Sequence, residues 1–311
     1  MILTSIVPLF SIILIGFVAG KLAVIDKGGV QTLVAFVFTV AMPALIFLMM
    51  AKADFGDGDG GLVAIAYFSA QLLIFIIAFA IGRWLFHQSL AERTIQAFGS
   101  SFSNGVVLGL PLVLSLYGQK AGLPALLIIL LDILMFSAIT LLLEIAKRRE
   151  QGTTGQAMAQ MFLDLAGSIG GHPLILASVL GLAFGMSSWQ LPALADNTLA
   201  FIGQAGPPAG LFALGATLSQ RRIAGQFKPV AAMVLMKNAG HPLLAWLMIS
   251  CLFDLDPIAA GVMLLFAACP IGANVYVFAA QYDAAMETSA AAILLSTLLA
   301  TLSLSILVLM V

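Results

Sequence analysis

Two segments of the sequence combine an asparagine with residues that break helices. The first reads NGVVLGLP over 104–111, and the second reads CPIGAN over 269–274. Proline lacks an amide hydrogen and clashes with the preceding turn, and glycine weakens a helix further, so both segments are expected to unwind. Pro111 and Pro270 would then each begin a new half-helix, because proline suits the first helical position. Two ordinary kinks are the alternative interpretation.

An unwound segment that leads into a half-helix offers the chemistry of an anion site. The first turn of a helix carries unpaired N–H groups at the positive end of the helix dipole, and anions bind there. An asparagine amide can recognise a carboxylate without burying a fixed charge. We therefore predict that the two segments together bind an anion through Asn104, Gly105, Gly109, Pro111, Pro270, Gly272 and Asn274.

Asp132 and Lys237 are the clearest ionisable residues inside apolar segments. An ionised group at the centre of a bilayer costs about 2.5–3.5 kcal/mol, so each one is expected to have a structural or functional role. In one interpretation the two charges form a structural pair. In the other, Lys237 attracts the anion and Asp132 binds a proton or a cation. Gln71 and His241 are further candidates to line the site, with packing as the alternative role for His241.

The sequence around these residues has the composition of an integral membrane protein. Of its 311 residues, 62% are hydrophobic and 9% are charged, whereas a soluble domain carries roughly 25% charged residues. Apolar runs of about 20 residues, long enough to cross a bilayer, fill most of the chain. We predict an all-α fold with ten membrane spans, near 3–22, 30–51, 61–86, 92–117, 122–146, 172–189, 195–219, 228–250, 257–281 and 287–310. The two segments above break spans four and nine.

The second half of the chain repeats the first at an offset of 165 residues. The segment at 8–20 aligns without a gap on 173–185, and Pro43 and Tyr117 fall on Pro208 and Tyr282. We predict a first five-helix repeat over 1–146, a cytoplasmic linker over 147–170 and a second five-helix repeat over 171–311. Because five spans are an odd number, the second repeat would be inverted, an arrangement typical of secondary transporters.

The basic residues predict how the chain is oriented in the lipid bilayer. One set of loops carries ten lysines and arginines, and the opposite set carries only Lys52 and Lys120. The positive-inside rule makes the first set cytoplasmic, so both termini would lie on the other side of the cell inner membrane. The net charge of −1 gives no reason to expect a nucleic-acid partner. No histidine has the spacing of a metal ligand, and no cofactor is predicted.

Five segments of the chain resemble the auxin efflux carrier family, including its bacterial members. They are AFVFTVAMPALIF at 35–47, SFSNGVVLGLPLVLSLYG at 101–118, PPAGLFALGATLS at 207–219, the stretch 237–242 and ACPIGANVYVFAAQY at 268–282. The resemblance implies the crossed-helix fold shared with sodium/bile-acid symporters and sodium/proton antiporters. In that fold, spans 1, 2, 6 and 7 form a scaffold, and spans 3–5 and 8–10 form a transport unit.

The same resemblance implies roles for individual residues. Family members carry organic anions such as auxin, malonate or malate by an elevator-like movement. Asn104 matches the asparagine that contacts substrate in the first crossover, and Pro111 lies in the same NxxxxGxP pattern. Pro270 and Gly272 match the second crossover, where Asn274 is the less regular position.

These features together predict a secondary active or facilitative transporter of small organic anions, either mono- or dicarboxylates. The substrate would bind where spans four and nine cross, and access would alternate by an elevator movement. A sodium-coupled symporter of bile-acid-like anions is the main alternative, and coupling to protons is also open. An intramembrane enzyme is the remaining alternative, and the sequence contains no GxSxG, HExxH or paired-aspartate motif for one.

Three GxxxG motifs, at 16–20, 181–185 and 206–210, indicate sites where helices approach closely. Small residues at this spacing let two helix backbones come together. Packing among the scaffold helices is the favoured interpretation. A homodimer through spans 2 and 7 is a further hypothesis, which rests mainly on the family resemblance.

Overall fold

The computed structural model describes residues 7–52, 60–151, 173–187, 189–220 and 226–310. Within these ranges, the regular elements are helices, and one isolated antiparallel bridge joins Ser103 to Ile271. Residues 152–170 of the predicted linker lie outside the described ranges. The predicted all-α class is therefore confirmed for the described part of the chain.

The described residues form helices that are numbered here in chain order. They are α1 (Val7–Lys21), α2 (Lys27–Ala51), α3 (Gly60–Trp84), α4 (Leu90–Ser101), α5 (Leu110–Tyr117), α6 (Gly122–Gln151), α7 (Pro173–Gly185), α8 (Ala193–Ser219), α9 (227–251), α10 (Pro257–Ala268), α11 (Asn274–Gln281) and α12 (Met286–Met310). Turns of π-helix lie within α2 at Val37–Ala41, before α5 at Gly105–Gly109 and within α9 at Met236–Gly240, and a 3-10 turn at Gly118–Ala121 connects α5 to α6.

Several helical stretches have the length and composition of membrane spans. Five stretches are long and apolar enough to cross a bilayer: Lys27–Ala51, Gly61–Trp84, Gly105–Asp132, Ala193–Ser219 and Met286–Val308. Shorter apolar helices at Val7–Lys21, Pro173–Gly185 and Pro257–Ala268 accompany them. This pattern is that of a multi-pass membrane protein.

The first half of each broken span begins with a side-chain cap. Ser89 and Glu92 form a capping box at the start of α4, in which each side chain accepts a hydrogen bond from the backbone N–H of the other. At the start of α10, Asp256 Oδ1 accepts bonds from the backbone N–H of Ile258 (2.8 Å) and Ala259 (3.1 Å). These caps satisfy amides that the helix itself leaves unpaired. They fix where α4 and α10 begin.

The helices pack in two groups. One group contains α1, α2, α7 and α8, which correspond to predicted spans 1, 2, 6 and 7. The other contains α3, α4, α6, α9, α10 and α12, together with the half-helices α5 and α11. The groups meet mainly where α8 lies against the 105–109 turn and where α2 lies against α6.

The GxxxG motifs lie at contacts inside the first group. Gly16 packs against the backbone of Phe212 on α8. A Cβ on Gly181 would lie only 2.6 Å from the carbonyl oxygen of Phe47 on α2, closer than real Cβ atoms come to an oxygen. A Cβ on Gly206 would lie 3.1 Å from the Met42 sulfur on α2, a less strict contact. The prediction that these motifs pack helices within one chain is confirmed.

Candidate functional site

The two broken helices meet at their breaks. We call residues 102–104 the first break and residues 269–273 the second break. The Asn104 N–H donates to the Pro270 carbonyl oxygen (2.9 Å), and the Gly272 N–H donates to the Phe102 carbonyl oxygen (3.2 Å). The breaks therefore run antiparallel and satisfy part of each other's backbone. This mutual pairing explains how unwound chain is tolerated between buried helices.

The half-helices begin at other residues than predicted. The first resumes as a π turn at Gly105, six residues before Pro111, which lies in the first turn of α5. The second begins at Asn274, because Pro270 lies inside the second break. Proline cannot donate the next helical hydrogen bond, and it keeps the preceding residue extended. Cys269 accordingly has φ −59° and ψ 149°, so Pro270 ends α10 and does not begin α11.

Glycines at the breaks provide room for aromatic rings. A Cβ on Gly272 would collide with the Phe102 ring. A Cβ on Gly105 would lie 2.8 Å from the ring of Phe266 on α10, and one on Gly109 would lie 3.3 Å from it. These glycines therefore let the two broken helices pack face to face. Gly109 contributes to this packing and does not line the cavity.

A cavity of 720 Å³ opens beside the two breaks. Five of the sequence-predicted residues line it: Asn104, Gly105, Asp132, Gly272 and Asn274. The other six do not line it: Gln71, Gly109, Pro111, Lys237, His241 and Pro270. The lining continues away from the breaks to Gln31 and the exposed Lys27 on α2, and to Thr217 and Gln220 at the end of α8.

Asn104 is the buried polar donor of this cavity. Its residue is 7% exposed, and its side-chain Nδ2 has no hydrogen-bond partner among the described residues. A buried donor without a partner costs about 1–3 kcal/mol. The Asn104 carbonyl accepts bonds from the Leu108 and Gly109 N–H groups (3.1 Å each), which are the first hydrogen bonds of the half-helix. An acceptor in the cavity would satisfy the free amide.

Asp132 places a carboxyl group in the same cavity. It is 3% exposed, and its Oδ1 accepts a hydrogen bond of 2.6 Å from Gln71 Nε2 on α3. Gln71 is thus brought to the site through Asp132, and its own Oε1 has no partner among the described residues.

Lys237 faces the end of a helix and not the cavity. Its Nζ donates to the Ala267 carbonyl oxygen (2.6 Å), in the last turn of α10. A cation is favourable there because the last carbonyls of a helix lack partners and form the negative end of its dipole. Among the described residues, the ion pairs are Lys52–Asp196 and Arg148–Glu144. Asp132 and Lys237 therefore share no direct ion pair, and the choice between a structural role and a coupling role for them stays a prediction.

His241 connects Lys237 to the first break through packing. Its Nδ1 lies 3.3 Å from Lys237 Nζ, and its ring lies 5.4 Å from that of Tyr67. The Tyr67 hydroxyl in turn donates to Ser103 Oγ (3.1 Å) in the first break. These four side chains are fully buried, and they link the end of α10 to the first break.

The second break has a polar support that the sequence did not reveal. Ser296 Oγ on α12 accepts a bond from the Ile271 N–H (3.0 Å) and donates to Asn238 Oδ1 (2.6 Å). Asn238 Nδ2 donates back to the Ser296 carbonyl (3.0 Å). Neither residue stands near a break in the sequence, so only a tertiary contact could identify it. Lys27, Gln31 and Thr217 were missed as cavity residues for the same reason.

The arrangement suits binding of an anion. Among the described residues, no three histidine, cysteine, aspartate or glutamate side chains lie together where they could hold a metal ion. The cavity instead brings an unpaired amide together with the starts of two half-helices. The fold and the site thus define a multi-pass membrane protein with a polar site at two helix breaks, as in a membrane transport protein.

Comparison with known proteins identifies the family. A sequence model of the family described as "Membrane transport protein" matches residues 1–308. The chain therefore belongs to this family, and its motifs are those of the auxin efflux carriers.

Three relatives match nearly the whole chain. The "Putative malonate transporter" of Rhizobium meliloti (strain 1021) is 28% identical over 94% of this chain and 91% of its own length. An "Uncharacterized transporter" of Methanothermobacter thermautotrophicus (strain Delta H) is 24% identical over 96% of this chain and 95% of its own. The "Lysosomal cholesterol signaling protein" of Mus musculus is 23% identical over 93% of this chain, which matches 35% of that longer protein.

Proposed function

We propose that the protein is a secondary active or facilitative transporter of small organic anions, and that the anion binds at the two breaks. The observation that carries this proposal is the unpaired Asn104 Nδ2, a buried donor in a cavity wall. The neighbouring starts of α11 and of the 105–109 turn add positive dipole ends that favour a carboxylate.

The size and polarity of the cavity are compatible with this substrate class. A volume of 720 Å³ accommodates a small mono- or dicarboxylate with its water, and most of the lining is apolar apart from the polar residues already named. The Rhizobium relative is named as a malonate transporter, and malonate is a small dicarboxylate. Lys27 at the far end of the lining would attract an anion toward the breaks.

Alternating access is proposed to come from movement of one helix group past the other. The group of α1, α2, α7 and α8 would be the scaffold, and the group that carries both breaks would be the transport unit of an elevator. The limited contact between the groups supports this division. With the predicted inverted repeats, inner-membrane location and external termini, the cavity at Lys27 and Gln220 would open to the cytoplasm.

Coupling to an ion is proposed to involve Asp132. A carboxylate substrate and an ionised Asp132 in one cavity would repel each other, and a proton or a cation bound at Asp132 would remove that repulsion. Gln71 donates to Asp132, and its Oε1 is left as a second acceptor beside it. A sodium-coupled symporter of bile-acid-like anions is the alternative, in which these oxygens contribute to a sodium site.

Uptake by purified protein in liposomes tests the function. Labelled malonate, malate and a monocarboxylate would be offered under imposed proton, sodium and potential gradients, with protein-free liposomes as the blank. The proposal expects saturable uptake of at least one carboxylate that falls in Asn104→Ala. Losing one hydrogen bond to a charged group costs about 1.5–3 kcal/mol, so transport efficiency should fall by about 10- to 150-fold. Uptake of no carboxylate under any gradient would refute the proposal.

A further inference from the structure

Three arginines cluster where three helices end on one side of the protein. Arg83 lies in the last turn of α3, Arg93 in the first turn of α4 and Arg149 in the last turn of α6. Helices α3, α4 and α6 pack against one another, and Arg83 and Arg149 both repel Arg93 electrostatically. We call these residues the arginine cluster.

The arginine cluster has no acidic partner within the described part of the chain. The ion pairs there are Lys52–Asp196 and Arg148–Glu144, and neither involves the cluster. Glu92, the residue before Arg93, is occupied by the capping box with Ser89. Three like charges held together without a counter-charge are unfavourable unless an external anion balances them.

Arg93 is held in place and left with an unused donor. Its guanidinium carbon lies 4.5 Å from the centre of the Phe79 ring, a cation–π contact that fixes the side chain. Its Nε is buried and has no hydrogen-bond partner among the described residues. The guanidinium groups of Arg93 and of the two exposed arginines beside it carry charged N–H donors of the kind that bind phosphate oxygens.

The surroundings of the arginine cluster are those of a membrane interface. Trp84, next to Arg83, is 78% exposed, and Leu85 follows it at 67%. Further back along α3, Ile76 is also exposed. Exposed tryptophan beside basic residues at the end of an apolar helix is typical of the headgroup level of a bilayer. A ligand here can place a phosphate on the arginines and acyl chains along α3.

We infer that the arginine cluster is a binding site for the phosphate of an anionic phospholipid. Basic pockets between the ends of membrane helices recognise such headgroups. A zwitterionic lipid carries its own ammonium group and cannot balance three arginines. A soluble phosphate would leave Trp84 and Leu85 uncovered. Because α3, α4 and α6 belong to the helix group that carries the breaks, the lipid would contact that group directly.

Native mass spectrometry of the detergent-purified protein tests this inference. The fraction of protein that retains phosphatidylglycerol would be measured over a lipid series, beside phosphatidylcholine and beside inorganic phosphate as competitor. Arg93→Gln is expected to weaken phosphatidylglycerol retention by about fivefold, the effect of one basic residue at a membrane surface. The matched control is Arg148→Gln, which removes the same charge nearby from an arginine already paired with Glu144.

The outcomes separate a site from a general surface effect. Retention that falls in Arg93→Gln and stays within about twofold in Arg148→Gln supports the site. Equal losses in both variants, or equal retention of phosphatidylcholine, would overturn it. Full displacement by inorganic phosphate would also overturn it, in favour of a soluble anion. If Arg93→Gln does not fold, the exposed Arg83→Gln is expected to show the same loss, and an unchanged Arg83→Gln would count against the site.

Discussion

Ser296→Ala tests how the second break is held in place. Ser296 and Ile271 are fully buried, and Ser296 Oγ accepts the Ile271 N–H bond (3.0 Å). Alanine would leave that N–H without a partner inside the protein. It would also remove the hydroxyl that donates to Asn238 Oδ1 (2.6 Å). We therefore expect the variant to be less stable although the change removes a single oxygen.

The expected loss follows from these two contacts. Leaving one buried N–H unsatisfied costs about 1–3 kcal/mol. Asn238 keeps its bond from Nδ2 to the Ser296 carbonyl (3.0 Å), because the substitution does not affect the backbone. A net loss of about 2 kcal/mol in the free energy of unfolding is therefore expected, which is a factor of about 30 in the folding equilibrium.

Equilibrium unfolding in mixed micelles measures this loss against a matched control. Ser305→Ala lies on the same helix, where Ser305 Oγ donates to the Thr301 carbonyl (2.6 Å) within α12. That carbonyl also lies within the regular helix, so the control should lose less than about 0.5 kcal/mol. If Ser296→Ala were as stable as Ser305→Ala, the pairing of the two breaks would suffice without Ser296, and the reasoning would be refuted.

Two further substitutions test the contacts around the breaks. Gly272→Ala should lower the free energy of unfolding by about 1–3 kcal/mol because its Cβ overlaps the Phe102 ring. The control is Gly61→Ala, where a Cβ meets no other atom within 4 Å. Equal stability of the two variants would contradict the close packing. Asp132→Asn should change the proton or sodium dependence of uptake more than the KM for substrate; an unchanged ion dependence, equal to that of Glu144→Gln, would assign Asp132 a structural role.

The breaks could be predicted from the sequence because their causes are local. Proline and glycine weaken a helix locally, and each predicted segment contains part of a break: Asn104 in the first and residues 269–273 in the second. Residues 105–111 are nevertheless helical, and Pro207 and Pro208 lie inside the continuous helix α8. The residue at which each half-helix begins depends also on tertiary contacts between the two breaks. Asn104 bonds to Pro270 across 166 residues of chain, and a contact over that separation has no local sequence signal.

For the buried charges, the sequence predicted their unusual location but not the groups that they contact. Asp132 and Lys237 were recognised as unusual because a bilayer penalises them, and this argument needs no structure. Their partners proved to be an amide on α3 and a helix carbonyl on α10. A backbone acceptor has no sequence signal, so the capping role of Lys237 could not be foreseen. The glycine motifs were interpreted correctly because small residues have few other uses at that spacing.

The most direct test of the account is malonate uptake by Asn104→Asp beside Asn197→Asp. Aspartate has nearly the shape of asparagine but cannot donate when ionised, and Asn197 is exposed at the start of α8. If Asn104 Nδ2 binds the substrate carboxylate, uptake should fall to the protein-free level in Asn104→Asp and stay normal in Asn197→Asp, at equal expression and folding. Normal uptake by Asn104→Asp would contradict anion binding at the breaks.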